Sequence, residues 1–334
     1  MQFKKDQEVN NTLCIYANAS QQIGYGHVMR QIALIEVLLN KQHKVTLFYR
    51  DLAPQLHSKL SRMGVVLKCA VDEVALVTIL SKADIAIVDD YALSKETIIQ
   101  LKNTVKQLVI FDDGTYQGPL EFDLIVNPSD VVDTIHKAPR VLQGLDYRLI
   151  RSEFKSYRAR ESFIEKSIFI SLGGTDVKML TPELCQQLVA SNDITKLVVA
   201  VSSSCSENTL TLLKRLKQHA KFELHIDYPN LARLMSEADI AITSAGGSLY
   251  ELMYLGVPTI ALVLVDNQSQ ALDSTLNNAA YQCIDFRNEQ PDFANAVKQA
   301  LFLLNSADKK RKLSLYGQQA IDGMAAERII EALD

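Results

Sequence analysis

Cysteine is scarce and unpaired in this sequence: Cys14, Cys69, Cys185, Cys205 and Cys283 are odd in number, widely spaced, and form no CxxC pair. That usage suggests neither a disulfide framework nor a zinc site, and a reducing cytoplasm is the expected home. No apolar run approaches the roughly 18 residues that a spanning helix needs, and "MQFKKDQEVNN" lacks the apolar stretch of a signal peptide. No membrane insertion is expected. The net charge of −4, with lysines and arginines scattered along the chain, supplies no basic stripe for a phosphate backbone, so nucleic acid is not an expected partner. GxxxxGK[ST], HExxH, GxSxG and a complete GxGxxG are all absent. Neither a nucleoside triphosphatase nor a dehydrogenase is supported.

What is present describes a packed chain. Hydrophobic residues make up 48% and charged residues 22% of 334 positions, ordinary for a soluble globular protein and enough for two domains of about 150 residues each. Short runs rich in Val, Ile and Leu read as buried strands: "TLCIYAN", "KVTLFYR", "IAIVDD", "QLVIFDD" and "FDLIVN" in the first half, then "SIFISLGG", "TKLVVAVS", "FELHID", "IAITSAGG" and "PTIALVLV". Stretches of helical period separate them. In "GHVMRQIALIEVLLNKQ", for example, Val28, Ile32, Ile35 and Leu39 fall on one face. The alternation predicts an α/β fold of two Rossmann-like domains in tandem, each a parallel sheet covered by helices, with a ligand cleft between them. The expected division is 1–155 and 156–334, in the polar stretch "EFKSYRARESFIEKS", with the final helical segment a candidate to cross back to the first domain.

Ligands of open α/β sheets collect beyond the carboxyl ends of the strands, so the turns there carry the functional candidates. In "NASQQIGYGHVMR", Gly24 and Gly26 permit a tight bend that brings a helix amino terminus close to a bound group, with His27 standing at that terminus. The positive end of the helix dipole disfavours imidazolium, which keeps the ring neutral and able to accept a proton. A partly buried structural histidine beside an ordinary turn is the competing reading. "VDDYALSKE" sets Asp89, Asp90 and Tyr91 at a strand end; capping is the default for one of the carboxylates, and Tyr91 is the better candidate to reach the cleft. Asp112 and Asp113 in "FDDGTY" read as turn chemistry. In the second half, Gly173, Gly174 and Asp176 of "SLGGTD" form a turn able to wrap a phosphate. In "TSAGGSLYELMYLGVP", Gly246 and Gly247 allow close backbone approach and Ser248 is placed to cap the next helix. Glu251 completes a capping box or, alternatively, accepts ribose hydroxyls. Asn267 and Gln268 in "VLVDNQSQ" are amides suited to a sugar or pyrophosphate.

These segments, together with "FDLIVNPS", "GLDYRLIRSEF" and "VPTIALVLVDNQ", resemble in order and spacing the UDP-2,4-diacetamido-2,4,6-trideoxy-β-L-altropyranose hydrolase family of pseudaminic acid biosynthesis, over roughly Leu13 to Phe286. The resemblance implies a two-Rossmann architecture like that of the type B (GT-B) glycosyltransferases, MurG-like in layout, with UDP mainly on the second domain. It implies hydrolysis of the bond between the anomeric carbon and the β-phosphate oxygen, without metal or cofactor, on a UDP-linked diacetamido sugar. His27 takes the place of the family's GxGH histidine and would orient or deprotonate the attacking water, and Tyr91 would contact the sugar. Gly173, Gly174 and Asp176 match the first turn of the second domain. Gly246, Gly247, Ser248 and Glu251 match its UDP-binding turn, and Asn267 and Gln268 its late amide pair. The chain departs from the family's usual IRxDAS: "IYANAS" has Tyr16 for arginine and Asn18 for aspartate, either a charged structural pair exchanged for a neutral one or a shift in sugar specificity. A glycosyltransferase that uses an acceptor hydroxyl and a silent UDP-sugar-binding protein are the alternatives, since fold alone does not decide chemistry. The sequence sets no oligomeric state and is compatible with a monomer.

Overall fold

The computed structural model describes residues 12–20, 24–114, 116, 118–159, 163–174, 176 and 178–333. The amino-terminal stretch read as lacking a leader, residues 21–23 of the glycine motif, Thr175, and residues 160–162 of the expected linker lie outside the described residues. The first half runs β1 Leu13–Ala17, α1 Gly26–Asn40, β2 Val45–Tyr49, α2 Pro54–Arg62, β3 Val66–Cys69, α3 Glu73–Leu80, β4 Ile85–Asp89, α4 Lys95–Thr104, β5 Gln107–Phe111, β6 Leu124–Asn127 and β7 Arg140–Gln143. The second runs β8 Ile164–Ser171, α5 Thr181–Val189, β9 Lys196–Val201, α6 Glu207–Leu216, β10 Phe222–Ile226, α7 Leu231–Ser236, β11 Ala238–Ser244, α8 Gly247–Leu255, β12 Thr259–Val263, α9 Gln270–Asp273, β13 Gln282–Asp285, α10 Phe293–Leu304, α11 Ala307–Ala320 and α12 Ala325–Glu331.

The strands form a seven-stranded sheet in the order β3-β2-β1-β4-β5-β6-β7 and a six-stranded sheet in the order β10-β9-β8-β11-β12-β13, and the pairings are parallel throughout. The expected α/β class with two Rossmann-like sheets is therefore observed. In both sheets the order reverses beside the first strand, between β1 and β4 and between β8 and β11, and these two switch points are where such folds take ligands. β1, β4 and β12 are buried along their whole length. Such strands have helices on both faces, which explains their uninterrupted apolar runs.

Each sheet is sandwiched between two apolar clusters, and α1 contributes Val28, Ile32, Leu34, Ile35 and Leu38 to one of them. The same first-sheet cluster contains Ala325, Ala326, Ile329 and Ile330 of α12, so the chain returns to the first sheet after completing the second. The 155/156 position falls inside a short 3-10 helix, Ser152–Tyr157, whose Phe154 is fully buried in a cluster of the second sheet.

Candidate functional site at the two switch points

β4 ends in Asp89, and α1 begins beside it after a turn in which Gly24 has a φ of 84°, a left-handed conformation natural to glycine. The second residue of that helix is His27, whose Nδ1 lies 2.7 Å from Asp89 Oδ1. A carboxylate is acceptor only, so the network assigns the ring proton to Nδ1 and leaves Nε2 as the basic atom. One turn further on, Arg30 donates from Nε to Asp89 Oδ2 at 2.6 Å and from Nη1 to Asp113 Oδ2 at 2.6 Å. Gln31 Nε2 adds a bond to Asp89 at 2.8 Å.

Asp89 is fully buried. Burial alone would raise its carboxyl, but the Arg30 guanidinium and His27 outweigh burial and hold it well below the usual carboxylate range. Asp113 is depressed in the same way, its burial outweighed by Arg30 and Arg148. Tyr91 donates its hydroxyl to Asp113 at 2.5 Å, accepts from Arg30 at 3.0 Å, and sets its ring edge-on to His27 with centroids 4.6 Å apart. Burial pushes its phenol well above the ordinary value, so it serves as a neutral donor.

This arrangement bears on three expectations. The helix terminus does not act alone on His27, because the buried Asp89 carboxylate is bonded to its Nδ1. The capping carboxylate expected in the first pair is Asp90, whose Oδ1 accepts from Ala92 N at 2.9 Å, while Asp89 is engaged by His27 and Arg30. Of the second pair, Asp112 makes the turn, accepting from Gly114 N at 2.8 Å, while Asp113 belongs to the Arg30 cluster.

At the second switch point Gly173 has a φ of 97°, and Gly173 and Gly246 both face the Ser244 hydroxyl, with Oγ 3.8 Å from the Cβ position of each. α8 starts at Gly247 with Gly246 as its N-cap and no side-chain cap bond. Ser248 therefore does not cap the helix, and no capping box forms. Glu251 is buried and bonded at both oxygens by Arg151, Nε to Oε1 at 2.7 Å and Nη2 to Oε2 at 2.9 Å, so its carboxylate is a fork-shaped partner for the inter-sheet connection. Two further candidates are occupied structurally. Asp176 is buried at a φ of 40° and accepts from Leu180 N and Thr181 N at 3.1 and 3.0 Å, holding the start of α5. Asn18, 1% exposed, donates to Tyr16 Oη and Asp90 Oδ2 and accepts from Arg50 N and Asp51 N. Tyr16 and Asn18 are thus a directly bonded neutral pair. Asn267 is exposed, whereas Gln268 turns its Oε1 back to Leu264 N at 3.0 Å with its Nε2 near Gly246.

The two switch points face one another. A Cβ on Gly174 would meet the Tyr25 ring at 2.9 Å, and the Tyr25 hydroxyl donates to Ser204 Oγ at 2.7 Å. A cavity of about 400 Å³ opens beside this contact, lined by Ala19, Asp51, Leu52, Gln55, Ser203 and Ser204 among others; His27 is not in its lining. Among the described residues no three His, Cys, Asp or Glu side chains are grouped to hold a metal ion, and no helix is long and apolar enough to cross a membrane.

Arg30, Asp89, Asp113 and Ser244 were not anticipated as site residues. A signal existed for two of them. His27 and Arg30 are spaced i, i+3 on one helix face, and a carboxylate closing an all-apolar strand requires a buried cation.

Two parallel sheets joined with their switch points opposed define the GT-B class, and MurG of Acinetobacter baumannii shares that fold, with a TM-score of 0.64 at 13% identity over 96% of this chain and 98% of its own. No family model matches the chain. Among curated relatives, an uncharacterised protein of Methanocaldococcus jannaschii is 26% identical over 79% of this chain, which spans 58% of that longer protein. The UDP-2,4-diacetamido-2,4,6-trideoxy-β-L-altropyranose hydrolase of Campylobacter jejuni is 30% identical over 75% of this chain and 91% of its own. The chain belongs to the family of that hydrolase.

Proposed function

We propose that the protein is a nucleotide-sugar hydrolase that converts UDP-2,4-diacetamido-2,4,6-trideoxy-β-L-altropyranose to UDP and the free hexose. Water attacks the anomeric carbon, the bond from that carbon to the β-phosphate oxygen breaks, and UDP leaves with the electron pair. His27 takes the proton of the water at Nε2. The observation that carries this reading is the 2.7 Å His27–Asp89 pair. It fixes the tautomer and supplies a negative charge beside the imidazolium as it forms, the general-base arrangement that contributes about 10²–10⁴ in rate.

Charge on the departing diphosphate is met by the amino terminus of α8 and the backbone around Gly246, Gly247 and Ser248, with Gly173 and Gly174 giving close approach from the other turn. Asn267 and Gln268 flank the same position, and Tyr91, whose hydroxyl is taken up by Asp113 and Arg30, backs His27 with its ring rather than offering a hydroxyl to the sugar. Gly24 and Gly26 shape the turn that presents the base. Asn18, Asp176 and Glu251 act by holding these loops. We further propose a cytoplasmic setting and a reaction that runs without metal.

The test is UDP release without acceptor and in the presence of chelator, comparing the intact protein with His27→Ala. Turnover that falls at least about 100-fold in the variant supports the hydrolase. The cavity beside Tyr25 favours one competing reading, a transferase whose acceptor occupies it. Turnover only on adding an acceptor alcohol would establish that reading and overturn ours.

A further inference from the structure

We infer that Gln270 is a positioning residue that ties the base, His27, to the second domain. The inference rests on the proposal that His27 is the base. Gln270 opens α9, directly after the turn carrying Asn267 and Gln268, yet both ends of its amide are used on the other side of the cleft. Its Nε2 donates to the Asp113 carbonyl at 2.5 Å, and its Oε1 accepts from Ser129 Oγ at 3.0 Å. A side chain so engaged is not available to a ligand. What it does is hold the turn after β5 in place.

That turn carries Asp113, whose carboxylate is held from one side. Oδ2 receives Arg30 and Tyr91, whereas Oδ1 is buried with no hydrogen-bond partner among the described residues. A carboxylate gripped by one oxygen depends on its backbone for placement, and the Asp113 carbonyl is where Gln270 attaches. From Asp113 the connection runs through Arg30 to Asp89 and from Asp89 to His27, with every step at 2.5 to 2.7 Å. A second link converges on the same group: Arg148, whose charge depresses Asp113, stacks 3.9 Å over the Tyr250 ring of α8. Opening the cleft would separate Gln270 from Asp113 and release the far end of the network that aims the imidazole. The orientation of His27 is thereby conditional on contact between the domains.

The experiment reads His27 without any ligand. Side-chain ¹⁵N resonances of histidine-labelled protein are compared among the intact chain, Gln270→Glu, which keeps the shape but loses the donor, and Gln270→Met, which keeps the length if the glutamate variant fails to fold. Ser274→Ala is the control, since it removes a different bond across the cleft, Ser274 Oγ to Asp130 Oδ2 at 2.6 Å. The expected result is a shift confined to the His27 nitrogens in the Gln270 variants and none in Ser274→Ala, with kcat lowered roughly 2- to 30-fold and KM unchanged. His27 resonances that coincide with those of the intact protein, or that move equally in Ser274→Ala, overturn the inference. An intact protein that releases no UDP defeats the hydrolase reading alone, because the resonances are measured in its absence.

Discussion

Asp89 carries two burdens, orienting His27 and neutralising Arg30, and the two separate on substitution. Asp89→Asn keeps the shape but leaves the guanidinium with only Asp113. We expect UDP release to fall at least about 100-fold and stability to drop by about 3–5 kcal/mol, the usual result of stripping one partner from a buried pair, read from the urea midpoint. The acid limb of stability follows from the same group. Because the folded-state carboxyls of Asp89 and Asp113 are depressed, their contribution is fully present above the ordinary carboxylate value of about 4 and is lost as pH falls below it through their folded values. Urea midpoints measured from pH 6 down to pH 3 should decline in the intact protein and decline less steeply in Asp89→Asn. At Asn18, substitution by aspartate removes the donor to Asp90 and sets two carboxylates together. We expect a loss of about 1–3 kcal/mol, part of which Tyr16→Arg restores in the double variant, measured as a double-mutant cycle.

Among the elements, α8 depends on its stop signal as well as on its open start. Gly256 follows the helix at a φ of 72°, and a Cβ there would lie 2.8 Å from side-chain atoms of Gln318 and Ser314. Gly256→Ala combines a left-handed penalty with an overlap against α11, and a loss of at least about 1 kcal/mol in urea unfolding is the expected outcome. Element by element, legibility in the sequence tracked burial. The central strands announced themselves because both faces are covered. β3, β7 and β13 did not, since "VLKC", "RVLQ" and "QCID" lie at sheet edges or ends where side chains meet water and no apolar run is needed. The site divided similarly. Glycine turns and His27 were visible because local conformation dictates them, whereas Asp113 is brought to Arg30 only by tertiary packing, 83 residues along the chain. Asp176 and Asn18 show the converse error, since a polar residue near a switch point can be spent entirely on holding its own loop.

At the scale of the whole molecule, the second sheet is inserted into the first domain's chain path. Ile329 of α12 is fully buried against the first sheet although it follows every strand of the second. Ile329→Ala should therefore cost about 2–5 kcal/mol and do so in the first domain, seen as earlier exchange of amide hydrogens in β1 and α1 with the second sheet unaffected. The return of α12 also bears on biosynthesis. At about 5–20 residues per second, a ribosome that has finished β7 needs roughly ten to forty seconds more before Ile329 emerges. Throughout that interval the apolar face beneath α1 lacks its cover, a window in which a chaperone would find a binding site that the finished protein no longer displays.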